Sequence, residues 1–493
     1  MKTLSNLIFN NLKISDFSKI AIKCPTTNSW KWIENRFVNG SIETCRTRLK
    51  QLNIKPGERV VYKGNNSLEW ITWNLACNSL GIIWVPMYTN QPYQYTEHVI
   101  KDCKPSLVIS DDNNIFKIHG ELRQISNDIT HSTVYEGDTD FRTNDKDIAN
   151  IIYTSGTTGS PKGVVLTNNN IISNLEAVRT HFPTVNNVTS LNILPWAHIY
   201  SQTCELYYNL IYDNKLAISS GKDNFLKECR EIKPHVLYVV PKLLEMVKQK
   251  IEVLDKPVIQ LVLPHILKHI FGANVQFIFT GGAKLKDNVK QFFSENGIVI
   301  CEGYGCSETA PMISVNHFED PRDINSIGKI LDNVLVDIVD GEIQVAGPNV
   351  MVGYWEDKSK TDEVLIKRDD KIWYKTGDSG EIKDGFLYYN GRLSDNYKLS
   401  NGKFVNVQEV EGVISEFVQA PFIVYGEQDA HNAIITTENI HQPTLDLIND
   451  RLEKQLHIKS VSVIDEETMS NFYTPKMSIK RKKLIEHVSN IIA

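Results

Sequence analysis

The run Tyr153-Thr-Ser-Gly-Thr-Thr-Gly-Ser-Pro-Lys-Gly163 concentrates the residue types that grip a polyphosphate. Gly156, Gly159 and Gly163 let the backbone turn tightly and approach a ligand, Thr154, Ser155, Thr157 and Thr158 supply hydroxyl donors, and Lys162 adds one fixed positive charge. The common G-x-x-x-x-G-K-[ST] loop is a different object. Here Pro161 precedes the lysine, Gly163 follows it, and no helix signal comes directly after. A Ser/Thr/Gly surface turn has a similar composition, so the reading depends on what else converges on the same ligand.

The elements around this run are legible from periodicity. Ala149–Ile152 reads as a strand entering it and Val164–Thr167 as a strand leaving it. Residues 27–150 alternate helical and strand patterns: an amphipathic helix over Ile42–Leu52, a strand ending at Tyr62, a helix over Trp70–Leu80 and a strand over Gly81–Pro86. The alternation resumes from 168, with strands near Leu191–Pro195, Lys233–Pro241 and Val275–Thr280 and a helix from Gln202 to Tyr212. Such alternation implies a largely parallel sheet covered by helices, with ligands at the ends of the strands. Residues 324–390 change to short β runs broken by Gly and Asp, which suits a small β-barrel. After Asn390-Gly391 comes a compact mixed segment of about a hundred residues, long enough for a separate domain. The expected division is a large domain over 1–390 and a small α+β domain over 391–493.

The chain has 493 residues, 41% hydrophobic and 23% charged, an ordinary soluble composition, and its net charge of -6 argues against a nucleic-acid partner. Its longest block of like charge is Lys480-Arg-Lys-Lys483. The eight cysteines are scattered without a C-x-x-C pair, which implies free thiols in a reducing compartment and no structural zinc. No stretch of eighteen apolar residues occurs, and Met1–Asn10 is too short an apolar run for a signal peptide. A cytoplasmic location is expected, with peripheral membrane contact left open.

The Tyr153–Gly163 string resembles the signature of the adenylate-forming superfamily, which includes acyl-CoA synthetases, luciferases and adenylation domains of peptide synthetases. Four further segments match in the right order. Leu194-Pro-Trp-Ala-His198 resembles the segment whose histidine lines the acyl site. Glu302-Gly-Tyr-Gly-Cys-Ser-Glu308 resembles the Y-G-x-[ST]-E signature and is preceded by Gly281-Gly-Ala283. Thr376-Gly-Asp378 resembles the T-G-D motif, followed by Gly391-Arg392. Asp395–Asn406 resembles the hinge and the start of the small domain. The opening helices and strands resemble those of acyl-CoA synthetases, and the Thr474-Pro475 and Lys233-Pro234 regions are most like long-chain fatty acid–CoA ligases.

The resemblance implies roles residue by residue. ATP, Mg²⁺ and coenzyme A are the implied co-substrates and cofactor, with a carboxylic acid as substrate. Thr154, Ser155, Gly156, Thr157, Thr158, Gly159 and Lys162 would hold the triphosphate. Gly281 and Gly282 would lie against adenine beside Gly303, Tyr304 would stack on it, and Ser307 would bond the α-phosphate. Thr158 and Glu308 would hold the magnesium ion, a hard cation suited to oxygen ligands. Asp378 would accept from both ribose hydroxyls, with Arg392 as the nearby cation. His198, Gly282 and Tyr304 would border the acid. Ser394 or Asp395 would be the pivot, Gly402 the turn approaching CoA, and Lys398 the lysine that faces the site during thioester formation.

One position departs from the pattern. In the family a small-domain lysine bonds the acyl carboxylate and the α-phosphate during adenylation, and aligning Thr474-Pro475 and Arg481 puts Ser478 there. Loss of one such contact typically costs about 10²–10³ in rate. Either Lys476 or Lys480 substitutes, or adenylation is slow. The expected function is therefore an AMP-forming ligase joining a medium- to long-chain fatty acid to CoA. The alternatives are an impaired, adenylate-binding relative and a ligase that passes its acyl group to another acceptor.

Overall fold

The computed structural model describes residues 2–14, 18–24, 26–110, 124–125, 143–154, 161–252, 257–427, 429–473 and 479–492. Alternating apolar runs produce two large sheets. The seven-stranded one runs Gly353–Tyr354, Lys162–Thr167, Ile148–Thr154, Ile83–Met87, Arg59–Lys63, Leu107–Ser110, Gln124–Ile125. Its interior strands are parallel and buried, as their Val- and Ile-rich sequences demand. Ile148–Thr154 and Lys162–Thr167 instead form an antiparallel pair in which Thr154 faces Lys162. The strands that enter and leave the glycine-rich run are therefore one hairpin.

The helix Asn168–His181 starts as the hairpin ends. Thr167 Oγ1 accepts from the Asn170 amide at 3.2 Å while Asn170 Oδ1 accepts from the Thr167 amide at 2.8 Å, a reciprocal cap. The Asn170 side chain also donates to the Pro348 and Val350 carbonyls, both at 2.8 Å, which pins the hairpin to the segment leading into Gly353–Tyr354.

The second sheet has fourteen strands. Val299–Gly305 joins its two halves: Val299–Glu302 pairs parallel with Phe277–Thr280, and Gly303–Gly305 pairs antiparallel with Met312–Val315. Of the strands of 324–390, expected as a small β-barrel, Gly353–Tyr354 joins the seven-stranded sheet and the others continue the fourteen-stranded one through that junction.

The expected helix from Gln202 to Tyr212 is π-helical over Ser201–Tyr207 and α-helical only over Tyr208–Ile211. Its buried side chains bond one another and their surroundings: Gln202 donates to Tyr207 Oη at 2.8 Å, and that hydroxyl donates to Asn74 at 3.0 Å. Glu205 is fully buried and accepts from Asn192 Nδ2 at 2.5 Å. Burial pushes its carboxyl from 4.5 up to about 8. A carboxyl raised on folding keeps its proton in the native state after the unfolded chain has lost its own. Its contribution is thus whole below 4.5 and is lost as pH rises to about 8. Denaturant titrations across that window should show stability falling by up to about 1.4 kcal/mol per pH unit, and Glu205→Gln should flatten the decline.

The chain beyond Arg392 carries its own sheets: the hairpin Tyr397–Lys398 with Phe404–Val405, and the strands Phe422–Tyr425, Asn432–Thr436 and Ile458–Val463. Period-two alternation splits its core in two. Val424 and Ile434 pack with Val410, Ile414 and Ile448, whereas Ile423 and Ile435 pack with Met469, Leu484 and Val488. No described helix is long and apolar enough to cross a membrane.

Candidate functional site

Glu302, at the junction of the second sheet, draws two glycine loops together. Its Oε1 accepts from the Leu285 amide at 2.8 Å, and Lys290 Nζ lies 2.6 Å from Oε2, both side chains being 3% exposed. The loop that starts at Gly281 is thereby held against Gly303. A Cβ at 281 would sit 3.1 Å from the Gly303 carbonyl oxygen, a tight contact that glycine avoids.

Next along the strand, Tyr304 donates its hydroxyl to Asp378 Oδ2 at 2.6 Å, and its ring lies 5.9 Å from that of Tyr389. Asp378 is cross-strand partner to Arg392, whose Nε lies 2.9 Å from Oδ1, while Arg392 Nη1 donates to the Thr376 carbonyl at 3.1 Å. Asp378 is 4% exposed, and burial raises its carboxyl above the ordinary range against the pull of Arg392. Its Oδ1 makes no hydrogen bond despite the ion pair, and being buried it would accept from a ligand hydroxyl only once its neighbours shift.

A second constellation gathers around the hairpin. Lys162 Nζ stands 5.0 Å from the centre of the Tyr354 ring, and the Tyr354 hydroxyl donates to Glu308 Oε1 at 2.9 Å. Sequence reasoning missed Tyr354. It arrives by strand addition, with Gly353 and Tyr354 pairing Val165 and Val164, and the one local signal was an aromatic pair after a glycine in a turn-rich stretch. Glu308 has no lysine or arginine within ion-pair reach among the described residues. A half-open carboxylate suits a hard cation. No group of three or more His, Cys, Asp or Glu side chains able to hold a metal occurs among the described residues. Any cation here would need oxygens from its ligand as well. Tyr354→Phe keeps the ring over Lys162 and frees Glu308 from the Tyr354 hydroxyl. It should weaken or strengthen magnesium dependence of turnover by less than about tenfold, the scale of one hydrogen bond to a charged group, read from a magnesium titration.

A cleft of about 1000 Å³ is lined by His198, Gly281 and Gly282 from the large domain, by Tyr389, the ring neighbour of Tyr304, and by Asp395, Glu411 and Arg481 from the chain beyond Arg392. His198 Nδ1 accepts from the Tyr200 amide at 3.1 Å. Arg481 is fixed by Glu411 and by the Val424 carbonyl, both at 2.6 Å. Tyr473 and Ile479 bridge as an antiparallel pair and also line the cleft. Ser307 is buried in the turn that carries Glu308.

Two expected lysines are not brought to the cleft. Lys480 is exposed between Ile479 and Arg481, because adjacent side chains of an extended segment point to opposite faces. Lys398 is exposed on the hairpin that buries Tyr397, with Gly402 at positive φ in its turn. Ser394 is exposed and Asp395 half-buried in the short turn after Arg392. Ser155, Gly156, Thr157, Thr158 and Gly159, and likewise Lys476 and Ser478, lie outside the described residues.

An α/β fold that sets Lys162 beside Tyr354 and Glu308, and pairs Asp378 with Arg392, is equipped for an anionic ligand with hydroxyls. Residues 18–355 match the family model described as AMP-binding enzyme, and the chain belongs to that family, a family of AMP-forming ligases within the adenylate-forming superfamily. Among its relatives, long-chain-fatty-acid–CoA ligase FadD15 of Mycobacterium bovis is 27% identical, over 74% of this chain and 70% of its own. Long-chain-fatty-acid–CoA ligase 5 of Rattus norvegicus is 27% identical, over 84% of this chain and 72% of its own. Among solved structures, ATP-bound MatB from Rhodopseudomonas palustris aligns with a TM-score of 0.83 at 22% identity, covering 99% of this chain and 100% of that one. O-succinylbenzoate coenzyme A synthetase from Bacillus subtilis, in complex with AMP, aligns at 0.80 and 20% identity, covering 97% and 98%. The expected mixed α/β fold, with large N-terminal sheets and a small C-terminal one, is thus the observed one.

Proposed function

We propose that the chain is an ATP-dependent acid–CoA ligase acting on a medium- to long-chain fatty acid. The observation that carries this is Asp378, buried between Tyr304 and Arg392 with unused acceptor capacity on Oδ1. That is how a site would grip the two hydroxyls of a ribose. The relatives named as long-chain fatty acid ligases support the acid class.

In this reading the acid's carboxylate oxygen attacks the α-phosphorus of ATP, the bond to the bridging oxygen breaks, and pyrophosphate leaves with that electron pair. Lys162 and the hydroxyls of residues 154–158 neutralise the departing charge, and Arg392 fixes the nucleotide beside Asp378. Glu308 would hold magnesium, which supplies charge neutralisation at the phosphates. The Gly281 loop and Tyr304 border adenine, and His198 borders the acid. Residues 391–493 then rotate as a small domain about Ser394 or Asp395, which brings Lys398 to the site. The CoA thiol attacks the acyl carbon and AMP departs. The exposed position of Lys398 and the cleft-facing Tyr473–Ile479 bridge are what the pose before rotation would have.

Ser478 favours a second reading, an adenylate-binding relative with little turnover. Purified protein with ATP, a panel of fatty acids and CoA decides between them. AMP and thioester form together under the first; under the second, nucleotide binds and neither product accumulates. ATP breakdown that needs no acid contradicts both.

A further inference from the structure

Glu308 rides on the turn Ser307–Thr309, and two fully buried asparagines hold the chain that leaves it. Asn174 exchanges two bonds with the Met312 backbone: its Oδ1 accepts from the amide at 3.2 Å and its Nδ2 donates to the carbonyl at 2.8 Å. A paired strand residue makes the same exchange. Asn349 donates to that carbonyl at 3.2 Å and to the Thr309 carbonyl at 3.1 Å. Its own Oδ1 is buried without a hydrogen bond, an unfavourable arrangement that the two donations must offset.

The same frame reaches Lys162. Asn170 lies one helical turn before Asn174 on the same face of Asn168–His181, and its bonds to Pro348 and Val350 fix both flanks of Asn349. The Met351 amide donates to the Glu308 carbonyl at 2.8 Å. Gly353 and Tyr354 then pair with the strand that begins at Lys162, and Tyr354 meets both Lys162 and Glu308. One helix face and one strap of chain, 348–354, thus set the carboxylate against the lysine. Asn174 and Asn349 bond backbone alone, and neither lines the cleft.

We infer that Asn174 and Asn349 are positioning residues for magnesium–ATP: they fix how far Glu308 projects toward Lys162, and so how well the two hold a metal-bound triphosphate. The inference rests on the reading of Glu308 as a magnesium-holding carboxylate and deepens it. An apolar side chain of similar size could fill the place of Asn174 and would leave the turn free to shift. A displacement of about 1 Å in a positioned group costs up to about 10²-fold. AMP carries neither the metal nor the outer phosphates, so the Asp378–Arg392 side should hold it whether or not the turn has moved.

Calorimetry on the full chain compares magnesium–ATP with AMP measured without metal. Asn174→Leu removes both bonds to Met312 and should weaken magnesium–ATP about ten- to a hundredfold, while AMP binding stays within about threefold. Asn349→Ala should act in the same direction. The milder Asn174→Asp keeps the bond from the Met312 amide and should fall between. Arg179→Met is the control for a merely structural role: it removes a 2.8 Å bond to the Val185 carbonyl at the far end of the same helix, and should lower the melting temperature without moving the ratio of the two affinities. A ratio unchanged in the folded variants at 174 and 349, or one that moves equally in Arg179→Met, overturns the inference. ATP bound by the native chain no more tightly with magnesium than with a chelator instead overturns the metal-holding reading of Glu308 beneath it.

Discussion

Ser478→Lys should raise acid-dependent pyrophosphate release by about 10²–10³-fold, the usual worth of one well-placed charge at the point where negative charge develops. The native chain has few ways to make up the loss. Lys480 lies on the face of its segment turned away from the cleft, and Lys398 sits on a hairpin outside it. Arg481 lines the cleft, but its guanidinium is already committed to Glu411 and the Val424 carbonyl. That leaves Lys476 as the remaining substitute. Single-turnover pyrophosphate release on native and Ser478→Lys proteins separates the cases. An unchanged rate would mean that Lys476 already serves, and Lys476→Ala should then abolish what the added lysine failed to improve.

Asp378→Ala should weaken magnesium–ATP binding by about 10²–10³-fold, with calorimetry as the measurement. A hydrogen bond to a charged group is worth about 1.5–3 kcal/mol, and the ribose would lose two of them, while Arg392, 44% exposed, is left to solvent. Here the loss also strands the Tyr304 hydroxyl. Asp378→Asn keeps the shape and one acceptor oxygen, and should fall between. Lys162→Ala should act more on pyrophosphate release than on nucleotide uptake, since the charge it neutralises grows as the bond breaks. Uptake unaltered in Asp378→Ala would remove the ribose-gripping role proposed for that carboxylate.

Much of this was legible before any coordinates. Apolar runs bounded by glycine and proline gave the strands of both sheets, and the hairpin around the glycine-rich run follows from two such runs separated by turn residues. Motif order brought Glu308, Asp378 and Arg392 forward, and strand register then explains one pair, since Asp378 and Arg392 face each other across adjacent strands. What escaped was non-local. Val299–Gly305 reads as one strand, and nothing in its sequence tells that its two halves have different partners and so fuse the expected barrel to the parallel sheet. Tyr354 meets Glu308 and Lys162 through strand addition between distant segments. The π-helical turn at Ser201–Tyr207 escaped because its apolar spacing resembles that of an α-helix at this length.

The most direct measurement follows the oxygen atoms. Fatty acid carrying ¹⁸O in both carboxylate positions is incubated with the protein, ATP and CoA, and the AMP is weighed by mass spectrometry. If the carboxylate attacks the α-phosphorus and the thiol then attacks the acyl carbon, each AMP carries one labelled oxygen. Label found in pyrophosphate or left entirely in the acyl product, with AMP unlabelled, would contradict adenylation at this site.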